Sequence, residues 1–232
     1  MMSPMTLSDL MGGLIVSCQA PDESPLRRVE MMVAMAQAAF HGGARGIRAQ
    51  GVADIRAIAA AVDLPIIGLK KAPPLTPDRV FITPRIADAV ELVEAGAKIV
   101  ALDATPRPRD GNDDVRAIVR AVHEMGAFVM ADVDSVASAI FAQDSGADII
   151  GTTLVGYTDD TIKDARDAID ISVLSQIVGA VSAPVLAEGR IWTPDDALAA
   201  FDVGAAGVVV GTAITNPLSL TRRFSAAIAA VR

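Results

Sequence analysis

Short apolar runs return along the chain at a steady interval: "LIVSCQ" from residue 14, then "RGIRAQ", "PIIGLKK", "KIVALDAT", "FVMADV", "DIIGTTL", "PVLAEGR" and "GVVVGT", which closes at residue 212. Each is nearly continuous rather than alternating, the pattern of a strand covered on both faces, as in a parallel sheet. Between the runs the spacing turns helical. "VADIRAIAAAV", "RIADAVELVEAG", "DDVRAIVRAVHEMG" and "SVASAIFAQDSG" keep their charges on one side only. Strand and helix alternate throughout.

The junctions repeat too. Gly43-Ala44, Gly96-Ala97, Gly126-Ala127, Gly146-Ala147 and Gly204-Ala205 each close a helix just before an apolar run, where glycine fits a helix C-cap. The third and seventh runs are entered through "VDLP" and "VSAP", where proline stops a helix and disturbs no ladder at a strand's first position. Eight strand–helix units in 232 residues, with no Pro/Ser-rich linker, predict the α/β class and a closed parallel (β/α)8 TIM barrel. One domain is expected over residues 1–232; an open doubly wound sheet is the alternative.

A barrel of this kind places its catalytic groups at the C-terminal ends of its strands and in the loops after them. Those ends read Gln19, Arg48, Lys70 and Lys71, Asp103 and Thr105, Asp132, Thr152 and Thr153, Glu188 and Arg190, then Gly211 and Thr212. Any one charged residue after a strand is ordinarily a solvated loop residue, yet all eight ends are polar or carry a glycine. In "AEGRI", strand alternation would turn Glu188 and Arg190 the same way, and Gly189 between them would let backbone approach a ligand closely. Gly189, Gly211 and Thr212 follow the last two strands, where this fold often cradles a phosphate on backbone N–H groups. The other reading of Gly211 is a tight turn.

Composition narrows the classes. A hydrophobic fraction of 52% with only 3% aromatics suits many small helices packed on a sheet. A net charge of −8 disfavours nucleic acid and anionic membrane surfaces as partners, so an anionic small molecule would need a local cationic pocket. Cys18 is the only cysteine, which excludes an intrachain disulfide and fits a reducing compartment; it reads as a small buried hydrophobe rather than a reactive thiol. The opening "MMSPMTLSDL" has no secretion-signal pattern, and Gly204, Gly207, Gly211, Asn216 and Pro217 interrupt the long uncharged run 203–221, which argues against a membrane helix. A cytoplasmic location is expected. His41 and His123 lack partners at ligand spacing, and Asp113-Asp114, Asp159-Asp160 and Asp195-Asp196 stand where helices open, so no metal is assigned. Neither a dinucleotide fingerprint nor a Ser-His pairing is present.

Taken together, "GLIVSCQA", "GIRAQG", "LPIIGLKK", "FITP", "ALDAT", "MADV", "GTTLVGYT", "AEGRI" and "VVVGTAIT" resemble the N-acylglucosamine-6-phosphate 2-epimerase family, also called N-acetylmannosamine-6-phosphate 2-epimerase, of sialic-acid degradation. The resemblance runs from about Gly13 to Phe224. It implies a TIM barrel that interconverts N-acetylmannosamine 6-phosphate and N-acetylglucosamine 6-phosphate without a metal or organic cofactor. By position it assigns proton handling to Lys71 and Glu188, sugar positioning to Gln19, Arg48 and Asp132, and the phosphate to Gly189, Arg190, Gly211 and Thr212. The residue types suit the chemistry. The C2 hydrogen is acidic only beside an open-chain aldehyde, so the reaction needs a base and stabilisation of the resulting oxyanion. Inversion by one residue or by two stays open at this stage.

Two departures stand out. Family members usually read "ITRP" where this chain has Thr215, Asn216 and Pro217, and they follow the lysine with an Arg-Asp-Tyr stretch where Lys71 is followed by "APPLTPDRV". Another phosphate-handling barrel isomerase or synthase, or a non-catalytic sugar-phosphate sensor, are the competing readings. The expected partner is a small amino-sugar phosphate. The resemblance also suggests a homodimer, for which the apolar stripe of "TRRFSAAIAAV" offers a face, although such a stripe more often covers its own barrel.

Overall fold

A computed structural model describes residues 6–109, 113–162 and 167–231. Its strands are β1 (Leu14–Cys18), β2 (Gly46–Gln50), β3 (Ile66–Leu69), β4 (Ile99–Asp103), β5 (Phe128–Asp132), β6 (Ile149–Gly151), β7 (Val185–Glu188) and β8 (Gly207–Val210). Each pairs in parallel with the next, and β8 returns to β1 through Leu14↔Val208, Ile15↔Val209 and Val16↔Val210. That closing pair decides between the two expected architectures: the sheet is a barrel, not an open sheet.

The helices between strands are α1 (Val29–His41), α2 (Val52–Ala61), α3 (Ile86–Glu94), α4 (Val115–Glu124), α5 (Val136–Asp144), α6 (Ile171–Ala180) and α7 (Pro194–Asp202). After β8 come a four-residue helix, α8 (Thr212–Thr215), and then α9 (Pro217–Ala229). All five Gly-Ala junctions end their helices alike. The glycine takes a left-handed φ between +74° and +113°, and the alanine N–H reaches back five residues to a carbonyl at 3.0–3.2 Å. This is the Schellman arrangement, which satisfies carbonyls that a helix end would otherwise orphan. Pro65 and Pro184 have no N–H to give at the entries to β3 and β7, but their carbonyls accept from Ile47 and Ile150, each at 3.0 Å.

Two apolar layers follow from strand alternation. One face of each strand packs on the helices; the other fills the barrel with side chains such as Ile15, Ile67, Ile99, Met130, Ile149 and Leu186. Leu10, fully buried, plugs the barrel where strands begin: a Cβ on Gly46 would stand 2.5 Å from its Cδ2. Inward positions turn from apolar to polar towards the strand ends, which puts chemistry at the C-terminal rim. Cys18 faces the helix layer, fully buried, and burial pushes its thiol up to about 12, so it stays protonated as a small hydrophobe.

Several carboxylates are absorbed by helix ends. Asp114 Oδ1 accepts from Ala117 N at 2.7 Å as the cap of α4, Asp113 Oδ2 accepts from Ile86 N at 2.8 Å at the start of α3, and Asp196 closes a capping box with Thr193 on α7. Asp159 and Asp160 sit in turns after β6; the segment they were expected to open reaches residues 163–166, which lie outside the described residues. His123, expected to lack a carboxylate partner, has one in space: its Nε2 lies 2.8 Å from Asp148 Oδ2. Among the described residues, no group of three or more His, Cys, Asp or Glu side chains could hold a metal ion, and no helix is long and apolar enough to cross a membrane. The C-terminal stripe does not cover its own barrel as expected, because α9 has no buried residue and Phe224 is 68% exposed.

Candidate active site

Arg48 organises the rim. It is the third residue of β2, points into the barrel and is 1% exposed, although a guanidinium belongs in water. Such burial requires partners, and the strand ends supply them. Its Nη1 and Nη2 fork onto Asp132 of β5 at 2.9 and 2.6 Å, while Nη1 also donates to Glu188 Oε2 of β7 at 2.7 Å. Burial works against the guanidinium's charge, but the two carboxylates outweigh it and hold the proton more firmly than usual.

Glu188 feels the reverse balance. Burial pushes its carboxyl up to about 7, the Arg48 cation opposes the rise, and the neighbouring Asp132 charge adds to it. Thr153, just past β6, stands between the two carboxylates, with its Oγ1 2.6 Å from Asp132 Oδ1 and 3.0 Å from Glu188 Oε2. Thr152, its neighbour, faces the backbone instead: its Oγ1 bonds Glu188 O and Glu188 N, each at 3.0 Å, and fixes the end of β7.

Lys71 opens onto the same cavity, about 740 Å³ in volume, as Gln19, Arg48, Glu188 and Arg190. A bridge to Ile82 and the bond from Ala72 N to Phe81 O hold the chain around it. Burial pushes its amine below the ordinary lysine range and the Arg48 cation adds to that, while Glu188, Asp132 and Asp22 pull it back in part. Lys70, one position earlier, points outward and pairs with Asp88 and Glu91 of α3 at 2.8 and 2.7 Å. Gln19 donates from Nε2 to Ser17 Oγ at 2.8 Å, which leaves its buried Oε1 without a partner. Asp103 does not join this group; it is fully buried against Thr105 and Arg107 of its own loop.

The β7 and β8 loops form one wall of the cavity. β7 ends at Glu188, and Gly189 and Arg190 both take left-handed φ, +109° and +54°. The alternation expected to carry Arg190 alongside Glu188 therefore stops. Arg190 turns to the loop after β6, where its Nη1 and Nη2 donate to the Val155 and Gly156 carbonyls at 2.9 Å each and its guanidinium lies 4.0 Å from the Tyr157 ring centroid. Gly211 is not a left-handed turn: its φ is −110°, and a Cβ there would come 3.2 Å from that of Ser17, which would have to yield by a few tenths of an ångström. Thr212 opens α8 directly after it. Asn216 caps α9, accepting from Ser219 N at 3.0 Å.

Comparison with known proteins fits this geometry. Residues 32–230 match the family model NanE, "Putative N-acetylmannosamine-6-phosphate epimerase". The chain belongs to the N-acetylmannosamine-6-phosphate epimerase family. Curated relatives called "Putative N-acetylmannosamine-6-phosphate 2-epimerase" include one from Cutibacterium acnes, 45% identical over 94% of each chain, and one from Listeria monocytogenes serotype 4b, 41% identical over 97% of each. The solved N-acetylmannosamine-6-phosphate 2-epimerase of Clostridium perfringens superposes with a TM-score of 0.91 at 39% identity, over 97% of each chain.

For this epimerase-family chain, the residues singled out from sequence fall into two groups. Gln19, Arg48, Lys71, Glu188, Gly189, Arg190, Gly211 and Thr212 all line the one cavity, while Asp132 lies behind it as the fully buried partner of Arg48. Thr153 and Trp192 line the cavity too and carried no assignment from sequence. Thr153 was one of many polar strand ends, and only its contact with both carboxylates singles it out. Trp192, the chain's only tryptophan, follows "AEGRI" directly; its Nε1 is buried without a partner and Arg223 lies 4.1 Å from its ring centroid. A lone aromatic beside a polar strand end was the available signal.

Proposed function

We infer that the protein interconverts N-acetylmannosamine 6-phosphate and N-acetylglucosamine 6-phosphate by removing and returning the C2 proton. The observation that carries this reading is the pairing of an amine and a carboxyl with opposite displacements at one cavity. Lys71 is pushed towards its neutral, basic form and Glu188 towards its protonated, acidic form. A site that must take a proton from carbon near neutral pH needs a base and an acid of this kind.

In this account the sugar reacts as its open-chain aldehyde. Neutral Lys71 takes the C2 proton, and the electron pair moves into an enolate across C1 and C2 whose oxyanion at C1 is stabilised by the protonated amine and the Arg48 guanidinium. Glu188, as an acid, assists at oxygen during ring opening and return. The unpartnered acceptor of Gln19 suits a sugar hydroxyl. Gly189, Arg190, Gly211 and Thr212 lie on the wall where a phosphate would sit, with Arg190 holding the β6 loop in place. In a chain of net charge −8, Arg48 and Arg190 are the guanidinium groups that line the cavity.

The test is a panel of sugar phosphates in deuterated water. Epimerisation of N-acetylmannosamine 6-phosphate with label at C2 supports the reading. Turnover of a different sugar phosphate, with label at another carbon, would replace it with another barrel isomerase.

A further inference from the structure

The contact between Thr153 and the two carboxylates poses a counting problem. One hydroxyl carries one proton, yet its oxygen lies within hydrogen-bond distance of both Asp132 Oδ1, at 2.6 Å, and Glu188 Oε2, at 3.0 Å. It can donate to only one of them. Arg48 cannot resolve the conflict, because the Nη1 hydrogens are directed to Asp132 at 2.9 Å and Glu188 at 2.7 Å, and its more distant approach to Thr153, at 3.4 Å, competes with both. With both carboxylates ionised, one contact would press two acceptors together.

The geometry says where the missing proton goes. Asp132 is fully buried and receives both arms of the Arg48 fork as well as the shorter Thr153 contact, the surroundings of an anion. Glu188 receives a single Arg48 hydrogen, at 2.7 Å. The contacts are reconciled if the second proton sits on Glu188 Oε2, which then donates to Thr153 at 3.0 Å while still accepting from Arg48 Nη1 at 2.7 Å. We propose that Thr153 is a positioning residue that keeps Glu188 in its acid form, giving its own proton to Asp132 and accepting a hydrogen bond from the Glu188 carboxylic acid. The chain of donors then runs from Glu188 through Thr153 to Asp132 and ends on the Arg48 fork. This deepens the preceding reading and rests on it for the role of Glu188 in turnover.

The arrangement has a direction that a purely structural threonine would lack. An acceptor for the carboxylic acid favours the protonated form, so its loss should lower the Glu188 midpoint. A donor to the carboxylate would do the opposite. The experiment is a pH titration of the Glu188 side-chain carboxyl carbon by 13C NMR in the substrate-free protein, assigned by its absence in Glu188→Gln. It is run on the wild type, on Thr153→Val, which keeps the branched shape without the hydroxyl, and on Thr153→Ser, which keeps the hydroxyl. Because Arg48, Asp132 and Lys71 are the charged groups facing Glu188 and remain in every variant, the difference isolates the hydroxyl. The expected result is a midpoint lower by roughly one pH unit in Thr153→Val, the scale of a single hydrogen bond to one protonation state, with Thr153→Ser close to wild type. In turnover, kcat falls by about tenfold or more in Thr153→Val with KM little changed, and Thr153→Ser recovers most of it. A midpoint that is unchanged or higher in Thr153→Val would overturn the proposal. The titration needs no substrate, so its outcome is separate from any failure to epimerise N-acetylmannosamine 6-phosphate.

Discussion

At the scale of single residues, Lys71 and Glu188 share a cavity and an electrostatic field but have unequal duties. Lys71 emerges after β3 and Glu188 ends β7, so they meet the cavity from different sides of the barrel. Lys71→Ala is expected to abolish exchange of the C2 hydrogen with solvent deuterium and to lower kcat at least about a hundredfold, the scale of losing a positioned acid or base. Glu188→Ala should stop net epimerisation while leaving slow exchange at C2. NMR of each variant, with circular dichroism to establish folding, separates the two; wild-type exchange in folded Lys71→Ala would move the base to another residue.

Glu188 also makes a prediction about stability. A carboxyl that binds its proton more tightly when folded contributes stability that is fully present below the unfolded glutamate value. That contribution is lost as pH rises through the folded value of about 7. Glutamine imitates the neutral acid and cannot ionise. Glu188→Gln should therefore match wild type in thermal stability near pH 4 and exceed it near pH 8.5, by on the order of 2 kcal/mol, or about 4–8 °C in Tm. Equal differences at both pH values would mean that the carboxyl is not held in its acid form. The resemblance picked out Lys71 and Glu188, but the protonation states were not legible in the sequence, and by residue pattern alone Lys70 and Lys71, or Thr152 and Thr153, are equivalent neighbours. The barrel's inward parity separates each pair, sending Lys70 to α3 and Thr152 to the backbone of Glu188.

At the scale of elements, much more could be read in advance. Gly-Ala junctions and two prolines mark the helix stops because left-handed caps and missing N–H groups are properties of the residues themselves. The direction of Arg190 could not be read that way, since it depends on where β7 stops and on carbonyls of another loop, at Val155 and Gly156. Asn216 shows the same limit. From sequence it is the place of an absent arginine, and an arginine there is expected only to strengthen phosphate binding; in the fold its side chain starts α9. Asn216→Ala should cost about 0.5–2 kcal/mol in denaturant unfolding, the range for a lost N-cap, and Asn216→Asp should retain most of it. No change in Asn216→Ala would mean that α9 is held by other contacts.

At the scale of the whole molecule, the barrel brings eight strand ends to one rim, where Arg48, Lys71 and Arg190 line the cavity beside Asp22, Glu23 and Glu188. The closed sheet was legible because parallel strands buried on both faces leave near-continuous apolar runs. The Arg48–Asp132–Glu188 cluster was not, since its members are 84 and 140 residues apart and only barrel closure makes them neighbours. The central claim is that this cluster and Lys71 move a proton at C2. The most direct measurement is NMR of N-acetylmannosamine 6-phosphate incubated with the protein in deuterated water. The account predicts conversion to N-acetylglucosamine 6-phosphate carrying deuterium at C2, with the same final ratio reached from either sugar. Binding of the sugar phosphate with neither conversion nor C2 exchange would contradict it.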